Sequence, residues 1–114
     1  MIEGIKAIIY PVRDIAQAKS VYAVLLGKQP DMDEPYYVGF TLDGLDVGLD
    51  PSGHAQGMTG PVSYWQVADM KGSLQALLDA GGQVRQDIKD VDGGKLIATV
   101  QDADGSVIGL IQPA

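Results

Sequence analysis

Two stretches, "IKAIIYPV" at 5–12 and "VSYWQV" at 62–67, are dense in β-branched and aromatic residues and read as strands. Each then gives way to apolar positions at helical spacing. The first stripe is Ile15, Ala18, Tyr22, Leu25 and Leu26; the second is Met70, Leu74, Leu77 and Leu78. Asp14 and Asp69 stand directly before these stripes, where a carboxylate can accept the unpaired N–H groups of a first helical turn. Gly27 and Gly81-Gly82 follow them and can take the left-handed conformation that ends a helix. Three shorter strands come next in each half. In the first half they fall near Gln29–Asp31, in "YYVGFTL" at 36–42 and in "LDVGL" at 45–49. In the second they are "QVRQDIKD" at 83–90, "KLIATVQD" at 95–102 and "SVIGLIQ" at 106–112. Asp43-Gly44, Asp92–Gly94 and Asp104-Gly105 are the tight turns between them.

The two halves therefore repeat one pattern. Val12 and Asp14 correspond to Val67 and Asp69, Gly27 to Gly82, and Val47–Leu49 to Ile108–Leu110. The expected fold is α+β, two βαβββ modules forming a curved mixed sheet with helices on the outer face. A single domain spans 1–114, with module one at about 1–50, a linker at 51–61 and module two at 62–114. The linker, within "DPSGHAQGMTGP", is rich in Gly, Pro and small polar residues and has no period.

Side chains alternate between the two faces of a strand. Val38, Phe40, Leu42, Val47, Leu49, Trp65, Val67, Leu96, Ala98, Val100, Ile108 and Leu110 suit the face beneath the helices. Gly48 and Gly109 then share the opposite face with Tyr37, Thr41, Tyr64, Gln66, Ile97 and Thr99. A glycine inside a strand marks a bulge or a close approach, and two at matching positions suggest a groove widened by missing side chains. A large residue at position 109 would then block the groove and leave the fold intact.

Composition narrows the field. The 114 residues carry a formal net charge of −7 and no cysteine. No basic stripe is present to meet nucleic acid, and no apolar run is long enough to cross a membrane. The lack of cysteine excludes disulfides and thiolate metal sites and fits a cytoplasmic protein. "VDGGKL" at 91–96 is too short for a phosphate loop, and the acidic run "DMDEP" at 31–35 reads as a solvated loop. The one histidine, His54, lies in the linker and is a candidate ligand contact, with Met58 beside it.

Paired modules that open with "PVRD" or "VAD" and close with "DADGSVIGL" resemble the vicinal oxygen chelate superfamily of glyoxalases, extradiol dioxygenases and bleomycin resistance proteins. The resemblance covers about Ile5 to Gln112. It implies that metal-dependent members place ligands on the first and last strand of each module. Those positions fall here on Ala7, Gly48, Val62 and Gly109, none of which has a donor atom. The expectation is therefore a metal-free, cofactor-free protein of the bleomycin-resistance kind, with open space where the ion would sit. It would bind and sequester a small, toxic or antibiotic organic molecule, as a homodimer, with no nucleic-acid or membrane partner. The expected ligand contacts are Tyr37, Thr41, Gly48, His54 and Tyr64, with Gln66, Ile97, Thr99 and Gly109; no catalytic residue is expected. The alternative is a lyase, isomerase or dioxygenase of the glyoxalase type with non-standard site residues.

Overall fold

The structure, a computed structural model, describes residues 2–91 and 93–114. Among these residues lie eight strands and two helices in the order β1 (Ile2–Pro11), α1 (Ile15–Leu26), β2 (Met32–Glu34), β3 (Tyr37–Leu42), β4 (Leu45–Asp50), β5 (Val62–Val67), α2 (Met70–Asp79), β6 (Gln83–Asp90), β7 (Leu96–Gln101) and β8 (Val107–Gln112). The fold is α+β, as expected. The weak strand expected near Gln29–Asp31 instead begins at Met32. Pro30 has no N–H to give a ladder, and β2 is placed by pairing Met32 with Gly39 and Glu34 with Tyr37. The turn expected at 92–94 includes Asp92, which lies outside the described residues.

The chain forms two compact units. The first is Ala7–Pro61; the second is Val62–Ala114 together with the N-terminal end of β1, through Lys6. In the first, β4 lies between β1, to which it is parallel, and β3, to which it is antiparallel, with β2 beyond β3. In the second, β8 lies between β5, to which it is parallel, and β7, to which it is antiparallel, with β6 beyond β7. β6 slips register twice, between Val84 and Gln86 and between Gln86 and Lys89.

Both helices start as their sequences require. Asp14 Oδ1 accepts from the Gln17 N–H at 3.0 Å, and Asp69 Oδ1 accepts from the Gly72 N–H at 3.2 Å. Each such cap satisfies one orphan donor and contributes about 1 kcal/mol. A second cap on α2 comes from far along the chain: Gln112 Oε1 accepts from the Met70 N–H at 2.7 Å. Gly27 ends α1 at φ 68°, a left-handed conformation that a side chain would strain.

Each unit has its own apolar core between helix and sheet. In the first, Val38, Phe40, Val47 and Leu49 are buried beneath Ile15, Ala18, Tyr22, Ala23 and Leu26. Tyr10 and Tyr22 meet there with ring centroids 4.9 Å apart, and burial, then the neighbouring Tyr10, pushes the Tyr22 phenol pKa up. In the second, Val67, Met70, Leu74, Ala98, Val100 and Leu110 are buried, with Trp65, Leu77, Leu78 and Leu96 against them. The strand faces beneath the helices are thus those the alternation assigns. One stripe member is not: Leu25 is 70% exposed. At 100° per residue, the half-buried Ile15, Ala18, Tyr22 and Leu26 define the core-facing line of α1, and Leu25 rotates away from it.

Candidate functional site

The face of each unit away from its helix can be built from strand registers. In the first unit the register places Ile9, Gly48, Gly39 and Met32 side by side across β1, β4, β3 and β2. In the second it places Tyr64, Gly109, Thr99 and Gln86 across β5, β8, β7 and β6. The two rows are equivalent, and each is centred on the glycine that the sequence marks.

Neither glycine faces open space, which corrects the expectation of a cleared groove. A Cβ placed on Gly109 would lie 2.5 Å from Tyr64 Cδ1 and 2.7 Å from Cε1 and Cγ, so the Tyr64 ring lies flat across the glycine. A Cβ on Gly48 would overlap the Tyr37 hydroxyl outright and stand 2.6 Å from Tyr37 Cζ and 2.8 Å from Ile9 Cδ1. Tyr37 reaches this place diagonally. Its own ladder partner is Glu34, and its ring passes over Gly39, where an added Cβ would stand 3.2 Å from Cε2. Gly39 and Gly48, adjacent across β3 and β4, make a side-chain-free floor for the Tyr37 ring. An aromatic laid over a strand glycine recovers the packing that the glycine forgoes. The sequence carried a sign of Gly39's part: "VGF" repeats the glycine-within-apolar-run pattern of "VGL" and "IGL".

The other expected contacts fall as follows. Gln66 lies two residues beyond Tyr64 on β5, opposite Ile111, which in turn pairs with Ile97. Its amide Nε2 donates to Glu3 Oε1 at 2.9 Å, so Glu3 on β1 orients it, a partner that sequence reading missed. Thr99 is buried at 8% exposure, beside Gly109. Thr41 lies on β3 opposite Asp46, and its backbone is gripped from two sides: its N–H donates to Asp31 Oδ2 at 2.6 Å, and Lys28 Nζ donates to its carbonyl at 2.7 Å. Lys28 also reaches Asp31 Oδ2 at 2.8 Å. The Lys28 hydrogen bond, then that from Thr41, holds the Asp31 carboxyl below the usual carboxylate range. His54 belongs to the loop after β4 rather than to the glycine row. That loop folds back so that Gly53 packs on Pro11 and Met58, and among the described residues no hydrogen-bond partner reaches the buried His54 Nδ1.

No protein-family model matches the sequence, and no curated protein matches it. Solved structures do match, over nearly the whole chain. A glyoxalase/bleomycin resistance protein/dioxygenase superfamily member from Vibrio splendidus 12B01 aligns with TM-score 0.72 and 22% identity, over 95% of this chain and 97% of the other. The chain has the vicinal oxygen chelate fold. A methylmalonyl-CoA epimerase from Streptomyces coelicolor, solved with 2-nitronate-propionyl-CoA, aligns with TM-score 0.76 and 15% identity, over 100% of this chain and 96% of the other. A protein described as an NAD-dependent benzaldehyde dehydrogenase from Legionella pneumophila aligns with TM-score 0.74 and 18% identity, over 95% and 98%. Identities this low carry the fold, and the activities named for two of these neighbours, an epimerase and a dehydrogenase, are unrelated.

The vicinal oxygen chelate fold implies a divalent ion in its metal-dependent members, and the residues here do not fit one. Hydrocarbon side chains or none occupy all four implied ligand positions. Ala7 and Val62 are buried alkyl groups, while Gly48 and Gly109 lie under phenol rings. Among the described residues no group of three or more His, Cys, Asp or Glu side chains could hold an ion.

Proposed function

We propose that this protein binds a small organic molecule without a metal, using tyrosine rings and hydroxyls where metal-dependent proteins of the same fold use an ion, and that it serves by sequestering that molecule. What carries the reading is the replacement itself: Tyr37 over Gly39 and Gly48, and Tyr64 over Gly109. Each ring offers a flat apolar face for stacking and a hydroxyl able to donate or accept a hydrogen bond. In the second unit, Gln66, set by Glu3, and Thr99 add an amide and a hydroxyl to the same side of the sheet. Stacking with few polar contacts suits an aromatic ligand. The net charge of −7 favours a cationic ligand over an anionic one such as a coenzyme A thioester.

A thermal-shift screen of aromatic and cationic natural products, with coenzyme A as the anionic counter-probe, tests the proposal. A ligand at about 100 times its dissociation constant adds roughly 2.7 kcal/mol, and for the second unit's face Tyr64→Ala abolishes the shift. No response across the library contradicts the proposal. Turnover tied to a stoichiometric metal establishes the glyoxalase-type alternative instead.

A further inference from the structure

Glu3 brings a carboxylate to the edge of the Tyr64 row, and among the described residues no ion pair cancels its charge. The N-terminal end of β1 belongs to the second unit and lies beside β5 there. From it Glu3 reaches Gln66, whose Nε2 donates to Glu3 Oε1 at 2.9 Å. Gln66 shares a strand face with Tyr64, two residues away, so Glu3 borders the face that carries the Tyr64 ring. Its partner is a neutral amide. Asp33 and Asp31 differ, because Lys19 at 3.1 Å and Lys28 at 2.8 Å offset their charge. Gly4, directly after Glu3, has φ 110°. A Cβ added there would meet nothing within 4 Å, so this glycine serves the backbone conformation and not close packing. A glycine kink of this kind within a strand re-aims the neighbouring side chain. The kink and the bond from Gln66 together fix where the exposed carboxylate stands.

We propose, resting on the metal-free binding reading above, that Glu3 selects the charge of the ligand: its carboxylate takes an ammonium group at one end of a molecule whose aromatic end stacks on Tyr64. The net charge of −7 enriches any cation around the whole chain. A carboxylate fixed at a set distance from a ring does more, because it chooses among cations by shape. The Tyr64 ring lies across Gly109, on the β8 side of β5, while Glu3 lies on the β1 side. Strands stand about 4.8 Å apart and residues about 3.3 Å apart along them, which separates ring and carboxylate by on the order of 8–10 Å. A ligand that spans them carries a flexible arm of about four carbons between ring and nitrogen. The ammonium need not displace Gln66, since an ionised carboxylate accepts through both of its oxygens.

Magnetic-resonance titration of isotope-labelled protein with phenylbutylamine, phenylbutanol and phenylbutyrate, each substituted at the chain end, tests this. The three share a ring and an arm and differ in charge, and the Gln66 side-chain NH₂ signals report on the site. The amine should bind with a dissociation constant on the order of 1 mM, about fivefold tighter than the alcohol, with the acid weaker still. Added salt should narrow that preference. Glu3→Gln keeps an oxygen for Gln66 and removes the charge, so it should bring the amine to the level of the alcohol and leave the alcohol unchanged. Asp79→Asn makes the same change in net charge on α2 and should leave the preference intact. Tyr64→Ala should weaken amine and alcohol alike. Equal affinity for amine and alcohol, a preference that survives Glu3→Gln, or one that is lost with Asp79→Asn would overturn the role of Glu3 and leave the binding reading in place. If neither amine nor alcohol moves the Gln66 signals, Glu3 has no such role and the binding reading fails with it for the second unit.

Discussion

Replacing Gly109 by alanine probes the Tyr64 contact directly. The added methyl would stand 2.5–2.7 Å from three atoms of the Tyr64 ring, where carbon atoms at rest sit about 3.5–4.0 Å apart. Tyr64 and Gly109 are direct register partners, so the ring cannot slide along the strand and must tilt off the sheet. If tilting returns about a third of the ring's roughly 200 Å² to water, the loss is about 1.5–2 kcal/mol at about 25 cal/mol per Å². The smaller backbone entropy of alanine in the unfolded chain offsets about 0.5 kcal/mol. The net destabilisation is about 1–1.5 kcal/mol. Urea unfolding followed by the single tryptophan, Trp65, reads this as a midpoint lowered by about 0.5–1 M. In a Tyr64→Ala background the same substitution should cost nothing or stabilise, giving a coupling energy of about 1–2 kcal/mol. Gly60→Ala is the control, since no atom within 4 Å meets its added methyl. If Gly109→Ala is as stable as the wild type, or its cost persists without the Tyr64 ring, the ring does not occupy the glycine's space.

Three further outcomes follow from the same geometry. Gly109→Leu, which an open groove would accommodate, should destabilise by about 3 kcal/mol, checked by the same urea titration. Gln112→Ala removes the half-buried cap on the Met70 N–H and should cost about 1–2 kcal/mol, visible as a lower melting temperature with the β8 strand retained. Asp31 has its folded pKa lowered by Lys28 and Thr41. Its contribution is thus complete above the unfolded value of about 3.9 and is lost as pH falls through the folded value. The melting-temperature gap between wild type and Asp31→Asn should stay constant above about pH 5 and close only below about pH 4.

Local signals revealed most of the fold. Asp14, Asp69 and Gly27 declare the helix ends through chemistry confined to one turn, and period-two alternation assigned Phe40, Leu49, Val67 and Leu110 to their cores. The site was legible in outline, because glycine inside an apolar strand is rare enough to locate Gly48 and Gly109. What occupies their space was not legible, because it depends on register. Tyr37 crosses one rung diagonally, and Tyr64 meets Gly109 across a parallel pairing 45 residues away in sequence. The links from Glu3 to Gln66 and from Gln112 to Met70 likewise join residues 63 and 42 positions apart that no local pattern connects. Leu25 was misplaced because its spacing fits the stripe within the tolerance of a helical period, and only packing excludes it.

Phenol rings stand where this fold can hold an ion, and calorimetric titration of Ni²⁺ or Zn²⁺ into chelator-free protein tests that replacement most directly. The prediction is no saturable one-to-one binding tighter than about 10 μM. A stoichiometric site of higher affinity, lost on replacing residues beside Gly48 or Gly109, would contradict it.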